Sequence, residues 1–540
     1  MTYSDQYDFI VVGAGSAGCA AAARLSENGR YRVALLEAGG RDTNPWIHIP
    51  VGYFRTMGNP KTDWMYETEA DPGLNGRAIP WPRGKVLGGS SSINGLLYVR
   101  GQPQDYDGWR QAGNEGWAWD DVLPFFKKSE TWYAPEDAEP HPDRGTDGPL
   151  RVSPSRLSRE VVDLWVKAGV NAGYAYNDDY NAGDQEGVGY FQQTQYGGRR
   201  WSSARAYLAP ARGRQNLHII TGAQTERVLI ENGRATGVRA RVGKQMRDFR
   251  AGREVVLATG AIGSPQTLML SGIGPGATLA KLGIKVQADL PGVGQNLQDH
   301  LQARPVYKTT LPTINVETNS IWKQGMIALQ YALTRSGPMA MAASLGTGFL
   351  RTDDRVETPD IQFHIQPFSA DRPADGPHRF SGFTASVLQL RPESAGHLAL
   401  RSPSMDDAPE IHPNYLATDT DQRTIVAGIK VARRIADTSP LKEAITEEYA
   451  PGRAVAFDDD EGTLDWARNT AVTIYHPTGT CKMGRDPMAV VDPRLRVYGV
   501  GGLRVADASI MPTIVSGNTN APAIMIGEKV AHMVLEDAQA

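Results

Sequence analysis

The sequence predicts an α/β protein: a discontinuous, Rossmann-like dinucleotide-binding domain joined to a second, α+β domain built on an antiparallel sheet. Three observations predict it. A glycine fingerprint lies between two apolar runs at the start of the chain. A strand running into a small-residue turn recurs near residue 257, and a further strand, turn and helix come last. The segments between read as strands broken by Pro and Gly.

The first unit opens with Tyr7-Asp8-Phe9-Ile10-Val11-Val12, an apolar strand, followed at once by Gly13-Ala14-Gly15-Ser16-Ala17-Gly18. Gly13 permits the tight turn, Gly15 lets the backbone approach a pyrophosphate, and Gly18 lets helix pack on strand. The small residues Cys19 to Leu25 suit that helix, whose N-terminus offers free N–H groups to phosphates. A second strand, Val33 to Leu36, ends in Glu37, nineteen residues after Gly18, where a carboxylate can accept both ribose hydroxyls and repel a 2′-phosphate. This unit alone does not separate FAD from NAD. The middle part of the same domain is read from strands Asn216–Ile220, Arg227–Ile230 and Arg253–Leu257, the last running into Ala258-Thr259-Gly260-Ala261. The last part begins near Thr473 and ends in a helix over Ala521–Leu535. Domain one is therefore expected over 1–155, 196–310 and 466–540. The second domain is expected over 156–195 and 311–465, with strands at Ile361–Ile365, Ala385–Leu390 and His397–Leu400 and a helix over Asp421–Asp437.

Composition narrows the function. At 540 residues the chain is too long for one simple core. A net charge of −4 with mixed signs and no basic block gives no sign of nucleic acid or of an acidic membrane surface as a partner. Cys19 and Cys481 are the only cysteines, with neither a disulfide framework nor zinc spacing, so no metal is expected and a reducing compartment is. The chain runs straight into its first strand, leaving no room for a signal peptide, and has no apolar run long enough to span a bilayer. The expected location is cytoplasmic, with peripheral membrane contact left open.

Four ordered segments carry a more specific signal. Gly84-Lys85-Val86-Leu87-Gly88-Gly89-Ser90-Ser91-Ser92-Ile93-Asn94-Gly95 comes first. It is followed by Gly260 to Gly274, then Leu290 to His300 with Asn296 and Asp299. The last block holds His476-Pro477-Thr478-Gly479, Asp507-Ala508 and Asn518-Thr519-Asn520-Ala521-Pro522. Together they resemble the glucose–methanol–choline oxidoreductases, which bind FAD, and the resemblance spans essentially the whole chain. It implies an FAD-dependent oxidation of an alcohol. It implies cofactor contacts at Gly13, Gly15, Ser16, Ala17, Gly18, Glu37 and Ala38, and in the serine-rich loop at Arg83, Gly84, Leu87, Gly88, Gly89, Ser90, Asn94 and Gly95. It adds Val228, Ala258 and Gly260, and finally Asp507, Ala508, Asn518 and Thr519. It implies His476 and Asn520 at the flavin ring, the imidazole taking the hydroxyl proton and the amide holding the developing alkoxide. Leu345, His364 and Tyr475 are the candidate substrate contacts.

Plainer readings stand beside these. Any one of ten histidines is by default a satisfied surface or core residue, and His364 reads equally as an ordinary strand histidine. Asn520 precedes Ala521-Pro522 and suits a helix N-cap, and Asp507 suits a cap as well. Two departures within the family matter. Ile93 stands where some relatives carry the histidine that tethers FAD, so the cofactor is expected to be non-covalent. Local alignment puts Leu345 where choline-specific relatives carry a carboxylate, so a neutral primary alcohol is expected, with FAD as hydride acceptor and a quinone, dye or O₂ as the final one. Choline dehydrogenase and oxygen-using alcohol oxidase are the near alternatives. Hydroxynitrile lyase, photodecarboxylase and a non-catalytic flavoprotein are the distant ones. Oligomeric state is not legible.

Overall fold

The computed structural model describes residues 6–135, 141–371 and 376–539. Two sheets organise them. In the first, Leu217–Thr221, Val33–Glu37, Gln6–Val12 and Gln245–Leu257 lie side by side in parallel. The long last strand serves two partners along its outer edge. Its first half pairs antiparallel with Arg234–Val242, which pairs in turn with Ala223–Glu231; its second half pairs in parallel with Leu503–Val505. Every residue of Val33–Glu37 is buried, as a central parallel strand requires.

Register brings four strand ends together. Val12 lies beside Leu36 and Leu257, and Leu257 beside Val505. Strand order reverses around Gln6–Val12, so a crevice opens beyond these carboxyl ends, where doubly wound sheets bind their ligands. The helix Ser16–Leu25 leaves the first strand here, and its alanines let the terminal helix Asn520–Gln539 approach closely. A Cβ on Gly527 would stand 2.3 Å from the Ala17 carbonyl oxygen.

The second sheet is antiparallel, in the order Ile445–Ala450, Val306–Thr309, Gly382–Gln389, Ile361–Gln366, Gly346–Leu350, Gly187–Tyr190. Leu301–Ala303 also pairs with Gly382–Gln389, and Val472–Thr473 pairs with Leu301–Ala303. Helices Glu160–Asn171 and Asp419–Ala436 cover one face. Gly348 and Gly428 admit them there, since a Cβ would meet Trp165 at 3.1 Å and Val387 at 2.8 Å. Alternation then sends Phe363 and Ile365 into that covered core, while His364 and Gln366 line a cavity on the other side.

The α/β fold with an antiparallel second sheet is as the sequence predicts. Three strands differ from the expected division: Leu301–Ala303, Val306–Thr309 and Val472–Thr473 join the second sheet, although the sequence reading put them with the cofactor domain. The strand Arg234–Val242 and the helix Ile321–Thr334 were not foreseen.

Candidate active site

One cavity of about 1860 Å³ runs from the strand ends of the first sheet to the open face of the second. That exceeds the few hundred cubic ångströms of an ordinary small-molecule pocket and suits a dinucleotide with a substrate beyond it.

Its first half is built for close backbone approach. Gly13 has φ +94°, and a Cβ there would stand 2.5 Å from the Ala258 carbonyl oxygen; a Cβ on Gly89 would stand 2.6 Å from Gly15 Cα. Gly15 caps the helix Ser16–Leu25 without a side-chain hydrogen bond, and no acid occupies the first turn. Its N-terminal N–H groups and dipole therefore face the cavity for phosphate. Glu37 is buried, accepting from Ala14 N at 2.9 Å and Gly39 N at 2.8 Å. Burial lifts its carboxyl to about 7 against the pull of those two amides. These features fit FAD: a phosphate cradle, an acid for ribose hydroxyls and a wide glycine- and serine-lined slot. Ile93, at the position where a tether would stand, is packed with Ile47 and Val86 and lines the slot.

The second half holds the chemistry. Tyr475 takes the left-handed conformation, φ +72°, unusual for a bulky residue. Three hydrogen bonds hold that turn: Tyr475 N donates to Thr473 Oγ1 at 2.7 Å, Arg83 donates to the Tyr475 carbonyl at 2.6 Å, and His476 N donates to Asp299 Oδ1 at 2.7 Å. Asp299 also accepts from Thr473 and Tyr415, and burial raises it to about 6. The strained turn is thus over-determined from both sides, and it presents His476 to the cavity.

The imidazole is wired at both nitrogens. His300 Nε2 lies 2.9 Å from the Leu390 carbonyl, which only accepts, so this nitrogen carries the proton. His300 Nδ1 is then a lone pair, 3.0 Å from His476 Nδ1, which must donate. His476 Nε2 is left as a lone pair, with Asn518 Nδ2 at 3.0 Å. Asn518 Oδ1 accepts from Gln362, which orients the amide. Burial depresses all three imidazoles: His300 to about 4, His364 to about 3, and His476 well below its ordinary value, His300 and His364 adding to the effect. The His476 imidazole is neutral, and its Nε2 lone pair, which accepts from Asn518, lies at the substrate space. Around it, His364 Nε2, Gln302 Oε1, Gln366 Oε1 and Tyr53 OH are buried cavity-lining polar atoms without a protein partner. Arg304 lines the same space near Tyr53 and Tyr475, with no hydrogen bond or ion pair among the described residues, and burial lowers its pKa.

Several expected residues stand elsewhere. The amide beside His476 belongs to Asn518; Asn520 begins the terminal helix and accepts from Ser16 Oγ at 2.7 Å, which turns it toward the phosphate end. Leu345 is fully buried in the second core, and Ser344 lines the cavity in its place. Val228 is buried within the strand Ala223–Glu231, whose first residues, Ala223, Gln224 and Thr225, line the cavity. Leu87 and Gly88 shape the loop from behind the lining residues Gly84, Gly89, Ser90, Asn94 and Gly95, and Gly18 serves packing, its missing Cβ lying 1.9 Å from Gly13 O. The Asp507 carboxylate caps a short turn through Ser509 N at 2.8 Å and binds Gly260 N at 2.9 Å and Ser264. Ser16, Ala17, Ala38, Arg83, Ala258, Gly260, Ala508, Thr519, His364 and Tyr475 all line the cavity. Sequence reasoning quoted Asp299-His300 without giving either a role and missed Arg304, which sits in no motif.

Family models described as GMC oxidoreductase match residues 7–302 and 392–527. Over 533 residues the chain is 43% identical to an alcohol dehydrogenase (acceptor) of Pseudomonas putida, covering 98% of this chain and 96% of that one. It is 42% identical over 530 residues to an oxygen-dependent choline dehydrogenase of Brucella suis biovar 1, covering 98% and 95%. Among solved structures, pyridoxine 4-oxidase from Mesorbium loti superimposes with a TM-score of 0.87 at 32% identity over 97% of this chain and 98% of that one. A formate oxidase variant from Aspergillus oryzae RIB40 gives 0.93 at 28% over the full length of both.

Proposed function

The chain belongs to the GMC oxidoreductase family and is an FAD-dependent oxidoreductase acting on CH–OH groups; from that premise we propose that it converts a neutral primary alcohol to the aldehyde with His476 as base. The observation that carries the reading is the hydrogen-bond chain from the Leu390 carbonyl through His300 to His476, which leaves an unprotonated Nε2 at the substrate space. Bound FAD supplies the acceptor for the hydride. The hydroxyl proton passes to His476 Nε2, and the alcohol C–O single bond becomes the carbonyl as the α-hydrogen leaves with its electron pair. The imidazolium so formed keeps donating through Nδ1 to His300. Asn518, freed from Nε2 when a hydroxyl takes its place, donates to the substrate oxygen as negative charge develops there. Asn520 holds Ser16 at the phosphate end instead. The FAD is held without a covalent bond, because Ile93 offers no nucleophile.

The neutral charge of the substrate rests on residues other than Leu345. The carboxylates lining the described cavity are Glu37, Asp371 and Asp507. Glu37 and Asp507 are engaged at the strand ends, and Asp371 faces His378 at 3.2 Å. A quaternary ammonium in this space would meet the positive charges of Arg83, which acts on His476, and of Arg304, which Asp371 offsets in part, and burying it there is costly. Anaerobic reduction of the flavin in the dark, comparing choline with a neutral alcohol of similar size, tests this. The neutral alcohol is expected to win in kcat/KM by about tenfold or more, and Arg304→Gln is expected to narrow the gap. A clear preference for choline would refute the substrate reading. An alcohol that leaves the flavin oxidised while another chemistry proceeds would refute the dehydrogenase reading as a whole.

A further inference from the structure

The helix Ile321–Thr334 buries one side chain, Tyr331. Ile321, Trp322, Met326, Leu329 and Leu333 are exposed by 86, 86, 72, 59 and 75%. Positions 322, 326, 329 and 333 recur at helical spacing, so four of the five form one stripe turned away from the protein. Exposed apolar side chains are ordinary singly; a contiguous stripe led by a tryptophan marks a contact surface. Another edge of the helix, through Gln324, Gly325 and Ala328, lines the cavity. The stripe therefore stands at the mouth of the active site.

A one-signed charge patch adjoins it. Tyr331 OH donates to the Gly198 carbonyl at 2.8 Å, which ties the C-terminal end of the helix to the turn carrying Arg199. Arg335 caps that end. Arg205 lies over the Trp201 ring at 4.2 Å, and Arg151 over Trp201 at 4.6 Å and Tyr196 at 4.4 Å. Among the described residues none of Arg151, Arg199, Arg205 and Arg335 has a carboxylate in ion-pair range, and no acid occurs between residues 318 and 352. Four guanidinium groups gathered around tyrosine and tryptophan rings, with Asp42 acting on Arg205 from beyond ion-pair range, repel one another until a closer anion arrives.

We propose that this face docks on an anionic lipid surface, the stripe entering the headgroup–acyl boundary and the arginines meeting lipid phosphates. Apolar side chains with tryptophan on one face and basic residues beside them are what an interfacial helix needs. No described helix is long and apolar enough to cross a membrane, so the chain lies on the surface. A second copy is the poorer occupant. Laid across the same stripe it brings the same arginines and no carboxylate from 318–352 to set against them. Docking places the cavity mouth against the bilayer, from which an apolar alcohol can enter without crossing water.

The test is co-sedimentation of the FAD-loaded protein with vesicles of phosphatidylcholine plus phosphatidylglycerol, against phosphatidylcholine alone, at low and high salt. The protein is expected to pellet with the anionic vesicles and to be released by salt. Arg199→Gln and Arg335→Gln should each weaken binding roughly fivefold. The double variant Met326→Gln/Leu329→Gln should lose it while keeping its flavin spectrum and its turnover of a water-soluble alcohol. Wild-type protein that stays in the supernatant at low salt overturns the proposal. So does a double variant that binds as tightly as wild type. Self-association that Leu329→Gln dissolves, with no vesicle binding in the wild type, gives the stripe to a second copy and overturns it too.

Discussion

His476, the proposed base, has its tautomer set by a neighbour whose own proton is held by a main-chain carbonyl. The tautomer is set two hydrogen bonds away, at the Leu390 carbonyl, where no side chain is involved. His476→Ala is expected to slow flavin reduction by alcohol by roughly 10²–10⁴-fold with FAD still bound, and Asn518→Ala to slow it more than Asn520→Ala does. Stopped-flow absorbance under anaerobic conditions measures both; equal effects of the two asparagine variants would return the oxygen-holding role to an open question between them. At the other end of the cavity, Glu37 titrates near 7 because it is buried. Ribose hydroxyls donate more strongly to the ionised carboxylate, which accepts at both oxygens, so FAD binding favours deprotonation. Affinity is therefore full above that pKa and lost as pH falls through it. Apoprotein is expected to bind FAD about tenfold more weakly at about pH 6 than at about pH 8, and Glu37→Gln to abolish the slope, both read by fluorescence titration. His476 and Glu37 were legible because each closes a motif of several residues. Asn518 and Asn520 are the same residue type two positions apart, and only the direction of the helix start separates them. Leu345 was misplaced by one position just before the strand Gly346–Leu350, where neighbouring residues already alternate between cavity and core. Arg304 was invisible, because a lone arginine in the short break between Leu301–Ala303 and Val306–Thr309 has no pattern.

Among the elements, the opening strand–helix–strand unit was readable to within a residue or two, since glycine spacing is dictated by contacts shorter than any side chain permits. Gly18→Ala is expected to place a methyl group against the Gly13 carbonyl, where 1.9 Å is available. The backbone must shift, at a cost of about 1–3 kcal/mol or more, and the phosphate cradle shifts with it. The flavin-to-protein absorbance ratio of the purified variant should fall well below that of the wild type; an undiminished ratio would mean the turn is softer than its geometry. Arg234–Val242 escaped notice because its residues are largely polar and small, and it is a strand by virtue of its two neighbours. Ile321–Thr334 escaped because, Tyr331 apart, its apolar residues do not face a core. Periodicity reports which face is buried, and a helix whose apolar stripe is turned outward breaks the rule on which the reading depends.

At the scale of the molecule, the cavity lies between two sheets whose strands come from interleaved parts of the chain, and FAD is the natural filling of the gap. Mild acid with high salt should strip the cofactor whole into solution, and restoring FAD should return the yellow protein. The stripped form is expected to melt several degrees lower, since a ligand at about a thousand times its Kd contributes about 4 kcal/mol. Flavin that remains with acid-precipitated protein would contradict the non-covalent reading. One contact described above has a temporal meaning. Ser16 and Asn520 share a hydrogen bond across almost the full length of the sequence, and the terminal helix lies flat against the first one. On the ribosome the phosphate cradle emerges first and waits for its last wall. A nascent or interrupted chain lacks that wall, so a closed place for flavin waits on translation through the residues near 520.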